Sequence, residues 1–321
     1  DLQLKAGYFL TEFGRNNPSH PHTWGWIDQP VINTRIFGGE GMRGAGARLS
    51  MLLPVSWYSE VMFGAQNADG EFMTSFLGGE QGHDHGDEDH AHAEEDEHAE
   101  EDHAEEEHAE EGHDHEHEHE AAAVIEEAGY EPGVAGRPIV NEDTDGELVY
   151  LGRILNSADL SDEWTGALGF SVLNGPNFTG DDADTWIYGT DVVLTWIPED
   201  NTRGRPFLKL EAEVIYRDLE AAAFSAALED GDAIELPSET LEDWGTYAQV
   251  IYGFRNQWSV GLRYEYATAD GESVGGTDHD PYRCDRTRIS PLLAYQPSEF
   301  SRVRLQYNYD DADYLEDGDA H

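Results

Sequence analysis

Cysteine is almost absent: Cys284 is the single one in 321 residues. That excludes an internal disulfide and any multi-cysteine zinc or iron–sulfur centre. Bases are scarce as well, 18 Lys and Arg against 68 Asp and Glu, for a formal net charge of −50. A chain of this charge is not drawn to phosphate, which argues against DNA or RNA as partners. No run of about 18 apolar residues occurs, so no helix can cross a membrane. No apolar leader follows a basic start, so any secretory signal is expected to have been removed already. Full disorder is excluded by what the chain does have, 11% aromatic residues and 34 glycines.

The acidity is concentrated. Residues 83–120 hold 11 histidines and 20 acids, with no Lys or Arg. An imperfect repeat runs through them: His98-Ala-Glu-Glu-Asp, His103-Ala-Glu-Glu-Glu, His108-Ala-Glu-Glu-Gly. A spacing of five advances about 140° beyond a full helical turn, so these histidines share no helix face. Dense like charge also opposes a helix. The stretch reads as a disordered low-complexity insert, running with its glycine-rich flanks over residues 80–147.

The remainder alternates with a period of two. Leu2, Leu4, Ala6 and Tyr8 interleave with Gln3 and Lys5, and Ala47, Leu49, Met51 and Leu53 with Arg48 and Ser50. Trp186, Tyr188, Val192, Leu194 and Trp196 oppose Asp191 and Thr195; Leu208, Leu210, Ala212 and Val214 oppose Lys209, Glu211 and Glu213. Trp258, Val260, Leu262 and Tyr264 oppose Arg263 and Glu265, and Val303, Leu305 and Tyr307 oppose Arg302 and Arg304. Counted this way the chain has about eleven strands. A soluble β-sandwich or barrel alternates in the same manner. Two features favour a membrane barrel. Trp164, Trp186, Trp196, Trp258, Tyr266 and Tyr309 sit at strand ends, where a lipid interface takes amphipathic rings. The charged opposite face suits a water-filled lumen and not a dry core. There the mixed charges predict either a field across a constriction or salt bridges between lumen walls.

Connections alternate short and long, as short periplasmic turns and longer external loops do. The long ones are residues 11–46, 80–147, 174–185, 220–243 and 267–286, which puts the His-rich insert outside the cell. The first is long enough to fold into the barrel mouth. The last strand runs outward, and an even strand count needs a returning one, so at least twelve strands are expected in the intact barrel. Both ends are expected to be truncated. The organisation is therefore residues 1–79 as the first part of the barrel, with an inward-folding loop at 11–46; 80–147 as the disordered external loop; and 148–321 as the rest of the barrel without its closing strand.

Several stretches carry a resemblance. The run Leu4-Lys5-Ala6-Gly7-Tyr8-Phe9, followed by Gly14, Asn17, His20-Pro21-His22, Trp24 and Asp28-Gln29-Pro30, resembles bacterial outer-membrane β-barrels related to phosphate-selective porins (porin O/P-like). Gly46-Ala-Arg-Leu-Ser50 and Ser298-Glu-Phe-Ser-Arg-Val-Arg-Leu-Gln-Tyr-Asn-Tyr309 strengthen it. The resemblance spans most of the chain outside the insert. It implies a porin-like barrel. Members often carry a His/Asp/Glu-rich loop and some are described as zinc-regulated, which implies zinc handling. It also implies a preceding barrel portion and a final strand. The phosphate preference is not carried over, because acidic outer loops repel anions and concentrate cations.

The insert carries the strongest chemical signal. Its histidines, His83, His85, His90, His92, His98, His103, His108, His113, His115, His117 and His119, are candidate ligands for Zn²⁺ or another divalent metal. A flexible chain folds several imidazoles onto one ion without imposing geometry, so binding is expected to be weak, unselective and unnecessary for folding. Neighbouring carboxylates favour the imidazolium form, so protons compete with metal. The bland alternative is an acidic, solvated brush. His20 and His22 beside Trp24, Trp26 and Asp28 make a second metal or solute site, or simply loop packing. Asp278-His279-Asp280 with Cys284 and Asp285 reads as a surface-loop cluster before it reads as a metal site. No nucleophile–base constellation and no phosphate-cradling glycine loop appears, so an enzyme is not expected.

The sequence therefore predicts an outer-membrane porin-like channel of a Gram-negative bacterium. It passes small solutes and gathers divalent metal on an external loop. Its partners are lipid, metal ions and small solutes, and by analogy with porins a homo-oligomer. Two alternatives stay open: a general porin with no metal role, and a soluble secreted metal-binding β-protein.

Overall fold

The structure is a computed structural model and describes residues 2–78, 124–140, 146–201, 204, 206–228, 233–255, 257–298 and 301–315. It is all-β, a twelve-stranded antiparallel sheet with a separate two-stranded hairpin. Strands β1 (Leu2–Leu10), β2 (Arg43–Leu52), β3 (Tyr58–Asn67), β4 (Leu148–Asp159), β5 (Trp164–Pro176), β6 (Asp184–Trp196) and β7 (Phe207–Ala221) follow one another in space. The hairpin is β8 (Phe224–Ala227) with β9 (Ala233–Leu236). Strands β10 (Glu239–Arg255), β11 (Trp258–Asp270) and β12 (Arg286–Ser298) continue the sheet beyond β7. Both β13 (Ser301–Gln306) and β14 (Tyr309–Ala312) pair with β12, forming one interrupted strand. The interruption lies opposite Pro291, which has no N–H to donate, and Tyr307 N–H turns in to the Pro291 carbonyl at 3.2 Å. The sheet is not closed on itself; β1 and β13–β14 are its edges.

All eleven segments that alternate in the sequence are strands of the main sheet. The first long connection is shorter than the period suggests, because β2 begins at Arg43 and runs through Gly44 and Gly46. Those glycines are strand glycines: a Cβ on Gly46 would lie 2.2 Å from the Ala65 carbonyl oxygen. The connection at 220–243 contains the β8–β9 hairpin, and β10 starts early at Glu239. Residues 124–140, expected to be part of a disordered loop, are packed. Val134 and Ala135 are fully buried with Phe178, Leu219, Ala221 and Leu241. Arg137 forms an ion pair with Glu239, and Val274 N–H donates to Ala135 O at 2.8 Å.

The sheet is strongly curled, and one segment proves it. Glu12, just after β1, pairs with Lys5 of β1 at 3.6 Å and with Arg48 of β2. Trp24 offers its carbonyl to Arg302 and Arg304 of β13 at 2.8 and 3.0 Å. A flat sheet of this width spans about 48 Å from first strand to last. The chain from Glu12 to Trp24 covers at most about 43 Å if fully extended, and it contains a 3-10 turn at Pro21–Thr23. Even with the reach of the Arg side chains it would have to lie almost fully extended along a flat sheet, and with its turn it does not, so the sheet wraps around it.

The two faces of the curled sheet are inverted relative to a soluble protein. The convex face is apolar and open: Phe63 is 62% exposed, Leu168 40% and Leu305 70%. The concave face is charged and closed: Arg217 and Arg263 are 0% exposed, Glu213 and Glu265 1%. Aromatic rings mark two levels on the convex side. Trp164 and Trp196 are ladder partners near the short turns, with Trp258 against Tyr295 at 4.6 Å. Trp186 stacks on Tyr188, and Trp244 meets Tyr266 edge-on, near the long connections.

Candidate functional site

The concave face is crossed by residues 11–42, here called the strap. It includes α1 (Val31–Phe37), a two-turn helix placed by local chemistry. Pro30 precedes it with extended backbone, and Gly38 at φ 73° ends it, donating N–H to Thr34 O at 2.9 Å. Val31, Ile32, Ile36 and Phe37 are buried with Phe13, Met42, Phe76, Ile187 and Ile215, forming the apolar core inside the curl.

Glycines in the wall are the seats of the strap. A Cβ on Gly189 of β6 would lie 2.6 Å from Phe13 Cζ, and one on Gly245 of β10 2.9 Å from Ile32 Cβ. Trp26 fits against Gly261 of β11 with the same economy, 3.2 Å from that absent Cβ. Each wall side chain is missing where a strap side chain is large.

Polar anchors fix the strap at three places. At its start, Thr11 Oγ1 donates to Gln66 Oε1 at 2.7 Å, and Gly14 N–H to Ser171 Oγ at 3.1 Å. Arg15 donates its backbone N–H to Glu213 at 3.1 Å and its Nε–H to Glu211 at 3.0 Å. At its far side Asp28 accepts from four wall residues: Arg263 at 2.5 Å, Gln306 at 2.7 Å, Asn308 at 2.9 Å and Arg288 at 3.3 Å. Burial alone would raise the Asp28 carboxyl; the Arg263 guanidinium and the hydrogen bonds from Gln306, Arg263 and Asn308 outweigh it and hold the carboxyl below its usual value. On the return, Val31 N–H donates to Glu265 at 2.6 Å, and Arg35 donates to the carbonyls of Arg283 and Cys284 at 3.1 and 2.7 Å.

The wall charges line up across the ladder and pair along and between strands. Asp191, Glu213, Tyr247, Glu265, Arg288 and Asp310 form one continuous row of cross-strand partners from β6 to β14. Arg153 binds Asp191 at 2.9 Å, Lys209 binds Glu211 at 2.8 Å, and Arg263 binds Glu265 at 2.6 Å. Beneath the return of the strap, Asp243 is held between Arg217 at 2.7 Å and Arg283 at 3.1 Å, all three without exposure. Of the two readings of the mixed lumen charges, salt bridges are what the concave face shows.

Sequence reasoning put Asp191, Glu211, Glu213, Arg263 and Glu265 on this face, and the structure brings them together there. It did not find Arg35 or Arg283, which come from connections, or Asp243, which stands at the early start of β10 inside the expected 220–243 connection; Asp28 it singled out beside His20 and His22, and not as an anchor to the wall. The eleven histidines from His83 to His119 lie outside the described residues. His20 and His22 stack at 5.7 Å between ring centroids and are exposed, while Asp28 is engaged by arginines. Cys284 is buried, and burial pushes its thiol up. No group of three His, Cys, Asp or Glu that could hold a metal occurs among the described residues.

No family model matches the chain. An uncharacterized protein of Aquifex aeolicus (strain VF5) is 25% identical over 325 residues, covering 98% of this chain and 55% of that protein. The chain thus spans about half the length of this curated relative. Among solved structures, a TodX deltaS2S3 mutant monoaromatic hydrocarbon channel is 14% identical at a TM-score of 0.32, over 84% of this chain and 68% of that one.

Proposed function

We propose that the chain forms a porin-like β-barrel in the outer membrane of a Gram-negative bacterium and passes small solutes, with the strap narrowing the passage. The observation that carries this reading is the inversion of the sheet: open apolar residues outside, closed charged residues inside. In water that arrangement exposes apolar surface and buries ions, both unfavourable; in lipid each face has its proper solvent. The aromatic levels support it. Trp186 and Trp196 stand at opposite ends of β6, ten residues apart in the sequence. At the usual strand rise and a tilt of about 40° they are separated by about 25 Å along the membrane normal, the height of an outer-membrane apolar band.

The reading has a second part that rests on composition. The 11 histidines and 20 acids of residues 83–120 gather divalent metal, zinc above all, on the external side. Binding is weak and multidentate and raises the local metal concentration; it is not needed for the fold. The family resemblance implies no solute beyond this, and the protein does no covalent chemistry in this reading.

Liposome swelling tests the first part. Vesicles carrying the full-length protein should swell in solutions of small sugars and salts and not in large polymers; no swelling with any solute contradicts it. Zinc titration by calorimetry tests the second, on the full-length protein and on a version lacking residues 83–120. Several ions bound only by the intact protein support metal gathering. Equal binding by both leaves a channel with an acidic coat.

A further inference from the structure

Wall carboxylates hold the strap, and one of them has no cation of its own. Glu213 on β7 is 1% exposed. Its Oε1 accepts the Arg15 backbone N–H at 3.1 Å and its Oε2 accepts the Tyr247 hydroxyl at 3.0 Å. Its direct partner across the β6–β7 ladder is Asp191, 2% exposed. Side chains opposed in this way have Cβ atoms about 5 Å apart, close enough for like charges to destabilise the pair.

The groups around Glu213 come from every side. Asp191 faces it from β6, and Arg153 from β4 is engaged by Asp191 at 2.9 Å and by Ser171 of β5. Tyr247 faces it from β10. From the strap comes Arg15, whose guanidinium is on Glu211 at 3.0 Å. On β7 itself Glu211 also holds Lys209 at 2.8 Å. Among the described residues each nearby cation is thus bound to a carboxylate other than Glu213. Asp191 Oδ2, though ion-paired, accepts no hydrogen bond.

We propose that Asp191 and Glu213 are a proton-operated latch for the strap. With one proton, the Glu213 carboxyl donates its O–H to Asp191 and its other oxygen keeps the Arg15 N–H, so the strap is seated. When that proton leaves to solvent, two carboxylates oppose each other in a water-poor interior. Their repulsion outweighs the stronger bond that a charged Glu213 makes with one amide. The strap feels the displacement directly, because Gly14 passes over the carboxyl so closely that a Cβ there would lie 1.6 Å from Glu213 Oε1. The strap therefore sits tight at acid pH and loosens as Glu213 gives up its proton, and the passage widens.

The latch deepens the channel reading and rests on it for its electrical readout alone. Two measurements on the full-length protein separate the two. The first is planar-bilayer conductance against pH for wild type, Glu213→Gln and Tyr247→Phe. The second is the emission of a fluorophore on His20→Cys, in a Cys284→Ser background, over the same pH range in detergent. Wild type should show one rise in conductance and one emission change with a shared midpoint. Glu213→Gln should stay at the acid level throughout. Tyr247→Phe, which removes a hydrogen bond from the charged form, should move the midpoint to higher pH and serves if Glu213→Gln does not fold. The same pH profile in wild type and Glu213→Gln overturns the latch while the channel stands. A titrating emission signal without any conductance keeps the latch and overturns the channel.

Discussion

Asp28 and Arg263 lie 2.5 Å apart although 235 residues separate them in the sequence, one on the strap and the other on β11. Arg263 also stacks over Trp26 at 4.9 Å and binds Glu265 at 2.6 Å. The pair therefore ties the strap to the wall where the strap turns back. Asp28→Asn should lower stability by about 2 kcal/mol, since it leaves Arg263 and Arg288 short of a carboxylate. Denaturant unfolding in detergent checks it. The pH dependence has a definite sign. Because the folded carboxyl is held below its usual value, its contribution is complete above about pH 4 and is lost as pH falls through the lowered folded value. Asp28→Asn should flatten that acid limb, and an unchanged limb would show that Asp28 does not hold the strap.

The fully buried Asp243 has two arginines, Arg217 and Arg283. Asp243→Asn leaves both without a counter-charge and should cost about 3–5 kcal/mol. Replacing the three together by Met, Asn and Met should cost less than Asp243→Asn alone, because two of the three buried guanidinium groups that face Asp243 leave with it and only Arg35 remains. Thermal unfolding of the two variants gives the order.

Gly245 of β10 makes room for Ile32 of α1. Gly245→Val should destabilise by about 1–3 kcal/mol through overpacking. Ile32→Ala in the same chain should recover part of that loss, although by itself it also destabilises. A double-mutant cycle measures the recovery, and strict additivity would mean that the two side chains do not share a site.

Outward residues near the middle of the strands test which solvent the convex face meets. Leu168→Arg should cost about 2–4 kcal/mol of folding into lipid vesicles, and a similar change near a strand end much less. In a soluble protein the same exposed position would tolerate arginine.

Much of this fold was legible in the sequence because a strand with one apolar and one polar face writes its period plainly. Leu168 and Phe170 against Ser171, or Trp186 and Tyr188 against Asp191, give the face as well as the strand. What stayed illegible was everything that depends on long-range contact. Asp28 reads in the sequence only as a companion of His20 and His22, and its place opposite Arg263 and Arg288 gives it the role of an anchor. Arg35 and Arg283 come from connections where no period marks an inward side, and Asp243 stands in the early part of β10 that reads as loop. Gly44 and Gly46 read as loop because glycine usually does, yet they lie in β2 where Met73 and the β3 backbone crowd the site of a side chain. Val134 and Ala135 were concealed by the low-complexity sequence before them, although their burial with Phe178 and Leu241 is that of an ordinary core.

The central claim is that solutes pass through the curled sheet beside the strap. Single-channel recording in planar lipid bilayers tests it most directly, with wild type and Asp28→Asn compared at one pH. The account predicts discrete conductance steps for wild type, and larger or noisier steps for Asp28→Asn as the strap loses its far anchor. The same steps from both would contradict the role of the strap. No steps from either, with the protein recovered in water without detergent, would contradict the channel.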